Sequence, residues 1–245
     1  MNKTTYSFPF FLGLLEGDGS IQVNHWRKRI LQFRILIKLK YTEDNYRMLT
    51  EIRDELNIFN VHIRNDYVLL IEDDKRKLKL LIKRIDLFGG FLLTKVRLRY
   101  CFFKYALKHD ITFSEYAAIK SNSEWFGYHK IVPYDYNDIL TKPFFDDWLC
   151  GIIEAEGCFS VRKSKNHSFS ISQKDELDFI NAVKLKFSLP NKIQTRSNSF
   201  YVIETYNRRA INDIILFCDT KLKGQKQVSL NYFKTFFYDI NKCRV

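Results

Sequence analysis

An internal duplication constrains this chain more than any other feature. Gly13-Leu14-Leu15-Glu16-Gly17-Asp18-Gly19 is matched much later by Gly151-Ile152-Ile153-Glu154-Ala155-Glu156-Gly157. With average residue usage, one such match by chance in a chain of this length has a probability on the order of 10⁻⁴, so the pair reads as a true repeat. The pattern after each copy agrees. Beyond Gly19 come alternating stretches SIQVN and ILQFRILIKLK, then a helical EDNYRMLTEIRDELN with Thr42 as its cap. Strand-like NVHIR and YVLLIE flank the turn-prone Asn65-Asp66, and helical spacing runs over 75–87 and 95–108. Beyond Gly157 the order recurs as CFSVRK, FSISQ, helical DELDFINAVKLKF, then KIQTR and FYVIETY around Asn198, with helices over 208–217 and 226–238. Each half reads α-β-β-α-β-β-α-α. The halves are assigned to residues 1–120 and 143–245. A linker over 121–142, carrying Gly127, Pro133 and several Tyr and Asn, joins them. Pro9 and Pro143 stand near the starts of the motif helices, where proline suits a first turn.

The spacing within the motif predicts how the halves meet. Gly13 and Gly17, like Gly151 and Ala155, are four residues apart and share one helical face. Small residues there let two helix backbones approach closely. Leu14, Leu15, Ile152 and Ile153 are then expected to face the core of each half, and Asp18 and Glu156 to emerge side by side at the helix ends. Gly19 and Gly157 are expected to leave the helices in a left-handed conformation. A carboxylate at a helix C-terminus is disfavoured by several tenths of a kcal/mol, and two close together disfavour each other further. A cation relieves both effects. Carboxylates without His or Cys suit a hard, oxygen-seeking ion, Mg²⁺ before Zn²⁺. Glu16 and Glu154 lie two residues earlier, about 200° around the helix, and are given a structural role.

Composition narrows the partner. Formal net charge is +12, with 22 Lys+Arg against 14 Asp+Glu in residues 1–120 and 18 against 14 in residues 121–245. Basic residues spread along the whole length point to a polyanion or an anionic membrane. No apolar run approaches 18 residues, and the N-terminus is too weakly basic for a signal peptide, so a spanning helix and secretion are not expected. The basic residues fall in strands and form no long amphipathic helix, which disfavours a membrane surface. The five cysteines form no CxxC pair and are read as free thiols in a reducing compartment. A zinc site would need a Cys/His cluster that five scattered histidines do not supply. Abundant Asn, Lys, Ile, Phe and Tyr have A/T-rich codons, which suggests an organellar gene, mitochondrial before chloroplast.

These motifs resemble those of the LAGLIDADG homing endonucleases in their single-chain, two-motif form. FLGLLEGDG and LCGIIEAEG stand at the two motif positions, and the resemblance covers nearly the whole chain. It implies an α+β monomer with two pseudo-symmetric αββαββα cores, motif helices at the central interface, and antiparallel saddle-shaped sheets over double-stranded DNA. It implies metal binding by Asp18 and Glu156, with Mg²⁺ or Mn²⁺ supporting cleavage and Ca²⁺ a non-cleaving substitute. It also implies cutting across a minor groove to leave short 3′ overhangs. A basic residue is expected near each scissile phosphate, ahead of the last long helix. Lys226 fits in the second half. In the first, aligning Phe103-Lys104 with Phe233-Lys234 sets Val96 opposite Lys226, with Lys95 one residue off.

Strand alternation supplies a candidate DNA surface. Leu31, Phe33, Ile35, Ile37 and Leu39 make one face apolar, leaving Gln32, Arg34, Lys38 and Lys40 on the other, beside Ser20, Gln22 and Asn24. In the second half the rows are Ser160 and Arg162, then Ser168, Ser170 and Ser172, then Lys192, Gln194 and Arg196. These residue types read base edges in a major groove, whereas Arg27, Lys28 and Arg29, in a turn, suit phosphates. Two other roles remain open on the same scaffold: an RNA-binding maturase acting on intron RNA, and a non-catalytic DNA-binding protein.

Overall fold

A computed structural model describes residues 7–121, 131–162 and 167–242. The first half contains α1 (Phe8–Asp18), β1 (Gly19–Trp26), β2 (Ile30–Lys40), α2 (Glu43–Leu56), β3 (Asn60–Arg64), β4 (Tyr67–Glu72), α3 (Lys75–Phe88), α4 (Thr94–His109) and α5 (Phe113–Ser121). After α6 (Tyr136–Leu140) the second contains α7 (Phe145–Glu156), β5 (Cys158–Ser160), β6 (Ser168–Lys174), α8 (Leu177–Lys186), β7 (Gln194–Arg196), β8 (Phe200–Thr205), α9 (Arg208–Cys218) and α10 (Gln225–Lys242). Both sheets are antiparallel and follow one plan, β1-β2-β4-β3 and β5-β6-β8-β7. The fold is α+β in two like halves.

Local chemistry sets these elements. Thr42 Oγ1 accepts from Asn45 N at 3.1 Å and starts α2; Asp74 and Asn207 cap α3 and α9 in the same way. The β1–β2 hairpin closes through Arg29 N donating to Trp26 O, with Arg27 and Lys28 both at positive φ. That geometry usually takes Asn or Gly, so two basic side chains are held at the tip at some backbone cost. Alternation buries Leu31, Phe33, Ile35 and Ile37 against the helices. Each such side chain contributes roughly 1.5–3 kcal/mol. The core runs unbroken from one half to the other through α1 and α7, with Trp148, Phe103 and Phe233 fully buried.

Two expectations change. The second sheet is smaller than CFSVRK and KIQTR implied: β5 ends at Ser160 and β7 spans only Gln194–Arg196, so Arg162 and Lys192 lie outside strands. Lys163 falls outside the described residues. Helices α5 and α6 were not anticipated; α6 lies within the assigned linker and is held by a capping box between Asp135 and Asp138. Residues 122–130 of that linker, with Gly127, fall outside the described residues. Cys101, Cys150, Cys158 and Cys218 are free thiols, and Cys243 falls outside the described residues.

Candidate active site

The site is built where α1 and α7 cross. A Cβ placed on Gly13 would lie 2.0 Å from the carbonyl oxygen of Trp148, and one on Gly151 would lie 2.1 Å from that of Phe10. The helices touch backbone to backbone, which only a residue without a side chain permits. One turn on, a Cβ on Gly17 would come within 2.4 Å of the Ala155 methyl. Leu14, Leu15, Ile152 and Ile153 are buried in the core.

Gly19 and Gly157 correct the expected exit. Their φ values, −87° and −66°, are extended and open to any residue. Glycine is needed there for space. Each N–H donates to the carbonyl of the residue four back, Leu15 or Ile153, and a Cβ would lie 2.3 Å or 2.7 Å from that same oxygen.

Asp18 and Glu156 end the two helices. Burial raises the Asp18 carboxyl above its usual range, partly offset by the Lys226 ammonium. Burial, then the negative charge of Asp18, push Glu156 up to about 7, again against the pull of Lys226. The two acids therefore share one electrostatic field. Among the described residues no three His, Cys, Asp or Glu side chains converge into a ready metal cage.

Two cavities open at this point, and each mixes the halves. One of about 280 Å³ is lined by Asp18, Lys38, Lys40 and Asn45 of the first half with Gln225 and Lys226 of the second. The other, about 190 Å³, is lined by Lys95 and Arg99 of the first half with Glu156, Gln173, Lys174 and Glu176 of the second. Each acid therefore shares its cavity with the other half's lysine. Lys95 and Lys226 are each the second residue of their helix, so the one-residue offset from the Phe-Lys alignment disappears. The helices α4 and α10 differ by one residue between that start and the Phe-Lys step.

Glu16 and Glu154 border the cavities, Glu16 that of Lys95 and Glu154 that of Lys226, but their carboxylates are taken up by backbone donors. Glu16 is buried and accepts from Leu92 N at 3.1 Å, Leu93 N at 2.6 Å and Trp148 Nε1 at 2.7 Å. Burial pushes its carboxyl up to about 8 despite those donors. Glu154 accepts from Lys223 N and Lys226 N at 2.9 and 3.0 Å. Each motif glutamate thus pins the loop that leads into its own half's final long helix.

On the first sheet, strand register sets Gln22 beside Arg34 and Asn24 beside Gln32 on the open face. Ser20, Gln22 and Asn24 form a side-chain ladder, with Gln22 Nε2 donating to Ser20 and Asn24 Nδ2 to Gln22, while Arg34 donates to Gln32. Lys38 packs over the Tyr67 ring and, like Lys40, reaches the Asp18 cavity. Arg27, Lys28 and Arg29 are exposed at the hairpin tip. On the second sheet Ser160, Ser170, Ser172, Gln194 and Arg196 share the open face. Ser168 belongs to that row but is buried, its hydroxyl donating to Glu204 at 2.8 Å, and Arg162 is paired with the same carboxylate at 2.7 Å. Glu204, brought alongside by β8, removes Ser168 from the open surface and ties Arg162 down; neither effect is visible within its own strand. Lys192 is exposed just before β7.

Sequence reasoning missed Gln173, Lys174, Arg99, Asn45 and Glu176 in the cavities. Gln173 alternates onto the inner face of β6, the core side by pattern, but at the strand's end that face opens on Glu156, to which its amide donates at 3.4 Å. Exposed Trp26 and Ile30, paired at the hairpin tip, were also passed over.

The sequence profile described as LAGLIDADG endonuclease matches residues 11–107 and 149–237. A probable intron-encoded endonuclease aI3 of Dictyostelium citrinum is 35% identical over 240 residues, covering 93% of this chain and 94% of that protein. A protein of the same name from Debaryomyces hansenii is 30% identical over 95% of this chain, which spans only 38% of its length. The LAGLIDADG meganuclease I-CpaMI bound to uncleaved DNA superposes with a TM-score of 0.72 at 16% identity, covering 96% of this chain and 93% of that one. I-SmaMI bound to uncleaved DNA in the presence of calcium ions gives 0.72 at 15% identity, over 96% and 92%.

Proposed function

The chain belongs to the LAGLIDADG endonuclease family, and from that premise we propose that it is an intron-encoded homing endonuclease that cuts both strands of a long, asymmetric duplex DNA site as a monomer. The observation that carries this reading is the pair of cavities at the crossing of α1 and α7, each joining one half's motif carboxylate to the other half's lysine. Two cavities of this composition suit two scissile phosphates, one per strand.

Asp18 and Glu156 would hold the divalent cation. Their charges share one field, and the burial and then the repulsion that raise Glu156 favour any cation, proton or metal, beside them. Oxygen donors alone suit Mg²⁺, with Mn²⁺ as an active alternative and Ca²⁺ as a non-cleaving substitute. When bound, the cation supplies Lewis-acid charge for in-line phosphodiester hydrolysis. Lys226 and Lys95 would each set a positive charge beside a phosphate oxygen. The open faces of the two sheets, which run directly from the motif helices, would track the major groove on either side. Ser20, Gln22, Asn24, Gln32 and Arg34 present base-reading groups in the first half, and Ser170, Ser172, Gln194 and Arg196 in the second. Arg27, Lys28, Arg29 and Lys192 would grip phosphates. Short 3′ overhangs and an organellar, mitochondrial gene are part of the same reading.

The test is selection of cleaved sites from a randomised duplex library with Mg²⁺, followed by assay of Asp18→Asn with Glu156→Gln on the selected site. Cleavage should fall by at least 10³-fold while DNA binding persists. Retained cutting by the double variant would remove both acids from the chemistry. A maturase would instead bind intron RNA more tightly than duplex DNA in a filter assay, and a non-catalytic DNA-binding protein would bind without nicking.

A further inference from the structure

The loops that carry the two lysines are each fastened twice, once by their own half and once by the other. In the second half, Glu154 accepts from Lys223 N and Lys226 N, and Asn45 of the first half accepts from Gln225 N at 2.9 Å. In the first half, Glu16 accepts from Leu92 N and Leu93 N, and Glu176 of the second half accepts from Lys95 N at 2.9 Å and from Thr94. The own-half fasteners come from the motif and the cross-half fasteners from the first turn of α2 or the N-cap of α8, so one plan is executed in both directions.

Asn45 and Glu176 are both buried at 7% exposure, although each lines an active-site cavity. Asn45 also donates through Nδ2 to the Lys40 carbonyl at 3.0 Å, which ties the end of β2 to the start of α10. The fit around it is tight. A Cβ on Gly224 would lie 2.6 Å from Asn45 Oδ1 and 2.9 Å from Glu154 Oε1. A first helical turn has orphan N–H groups that need an acceptor. Here the half's own motif glutamate is joined by a second acceptor from across the interface, one residue or less from the lysine it serves.

We propose that Asn45 and Glu176 are positioning residues exchanged between the halves, Asn45 fixing Lys226 and Glu176 fixing Lys95, so that each strand-cutting site is completed only when the two halves dock. This rests on the endonuclease reading above. The exchange makes the two sites separable by mutation although they share the acids.

The experiment measures nicking of each strand separately, on the selected site labelled on both strands, with Mg²⁺. Asn45→Ala should slow one strand by roughly tenfold to a hundredfold, the range expected when a reacting group shifts by about 1 Å. Glu176→Ala should slow the opposite strand by a similar factor. Both should lower kcat and leave KM for DNA unchanged. Glu176→Gln, which keeps an oxygen acceptor, should retain most of the rate. Gln225→Pro removes the N–H that Asn45 accepts, at a helix position that tolerates proline, and Gln225→Ala serves as the control for loss of the side chain that lines the Asp18 cavity. Gln225→Pro should slow the same strand as Asn45→Ala, and the double variant should be no slower than either single one. Equal slowing of both strands, or a change in KM alone, would overturn the positioning roles. Failure of the unsubstituted protein to nick either strand would instead overturn the endonuclease reading.

Discussion

The two halves follow one plan but execute it unequally. In the first, β1 and β2 run for 8 and 11 residues and end in a long basic hairpin; their counterparts β5 and β6 have 3 and 7. The first sheet offers a polar side-chain ladder along β1, whereas Glu204 occupies part of the second. At the centre this inequality vanishes. Gly13 and Gly151 meet opposite carbonyls at nearly equal distances, both motif glutamates pin a loop, and both lysines sit second in their helices. The comparison teaches where symmetry is physically required. A backbone-to-backbone contact admits little variation, while an open sheet face is free to differ.

The largest effect should come from the part where the halves are most alike. Gly13→Ala and Gly151→Ala each press a methyl into a carbonyl oxygen. Each should destabilise the fold by about 3 kcal/mol, at the upper end of overpacking costs, as measured by urea unfolding. Gly17→Ala meets only the Ala155 methyl and should cost less. If the two central substitutions differed by more than about 2 kcal/mol, the near-symmetry of the interface would not extend to its energetics.

The lysines should show a smaller, strand-specific contrast. Lys226→Ala and Lys95→Ala should each lower cleavage of one strand by about tenfold to a hundredfold, on opposite strands. Lys226, whose charge reaches both acids, should have the larger effect. A larger loss with Lys95→Ala, seen in strand-resolved kinetics, would reverse the ranking of the two cavities.

The smallest effect separates the two cross-half fasteners, because Glu176 titrates and Asn45 does not. Burial raises the Glu176 carboxyl above its usual range, outweighing the donors Lys95 and Thr94. The folded state therefore holds this proton more tightly than the unfolded state. That contribution is fully present below the ordinary glutamate pKa of about 4.3 and is lost as pH rises through the raised folded value. Glu176→Gln should flatten this part of the decline in melting temperature with rising pH, and Asn45→Ala should leave the slope unchanged. An identical slope in Glu176→Gln and the unsubstituted protein would show that Glu176 does not titrate differently on folding.

Most of the architecture was legible because the signals are local or repeated. The cap at Thr42, the alternation through β2 and the four-residue spacing of small residues each name their element without reference to the rest of the chain. The misreadings have one cause. Ser168 and Arg162 looked like open-face residues until β8 brought Glu204 beside them. Gln173, which was passed over, lies on the core side of β6 by alternation, yet there the sheet's edge opens on Glu156. Gly19 and Gly157 looked like left-handed exits, yet glycine is required there by a carbonyl one turn back. In each case the deciding atom lies on another element or in folded backbone geometry.

By itself, the sequence determined that two like halves exist, that their motif helices meet through small residues, and that an acid stands at the end of each. Those facts follow from period, spacing and duplication, which are properties of the chain in one dimension. Only the tertiary structure decided which lysine lines a cavity with which acid, and that the loop carrying each lysine is also bonded from the other half. Hydrogen bonds and charges act through distance in space, and Asn45 and Gln225, 180 residues apart along the chain, become neighbours only in the folded protein.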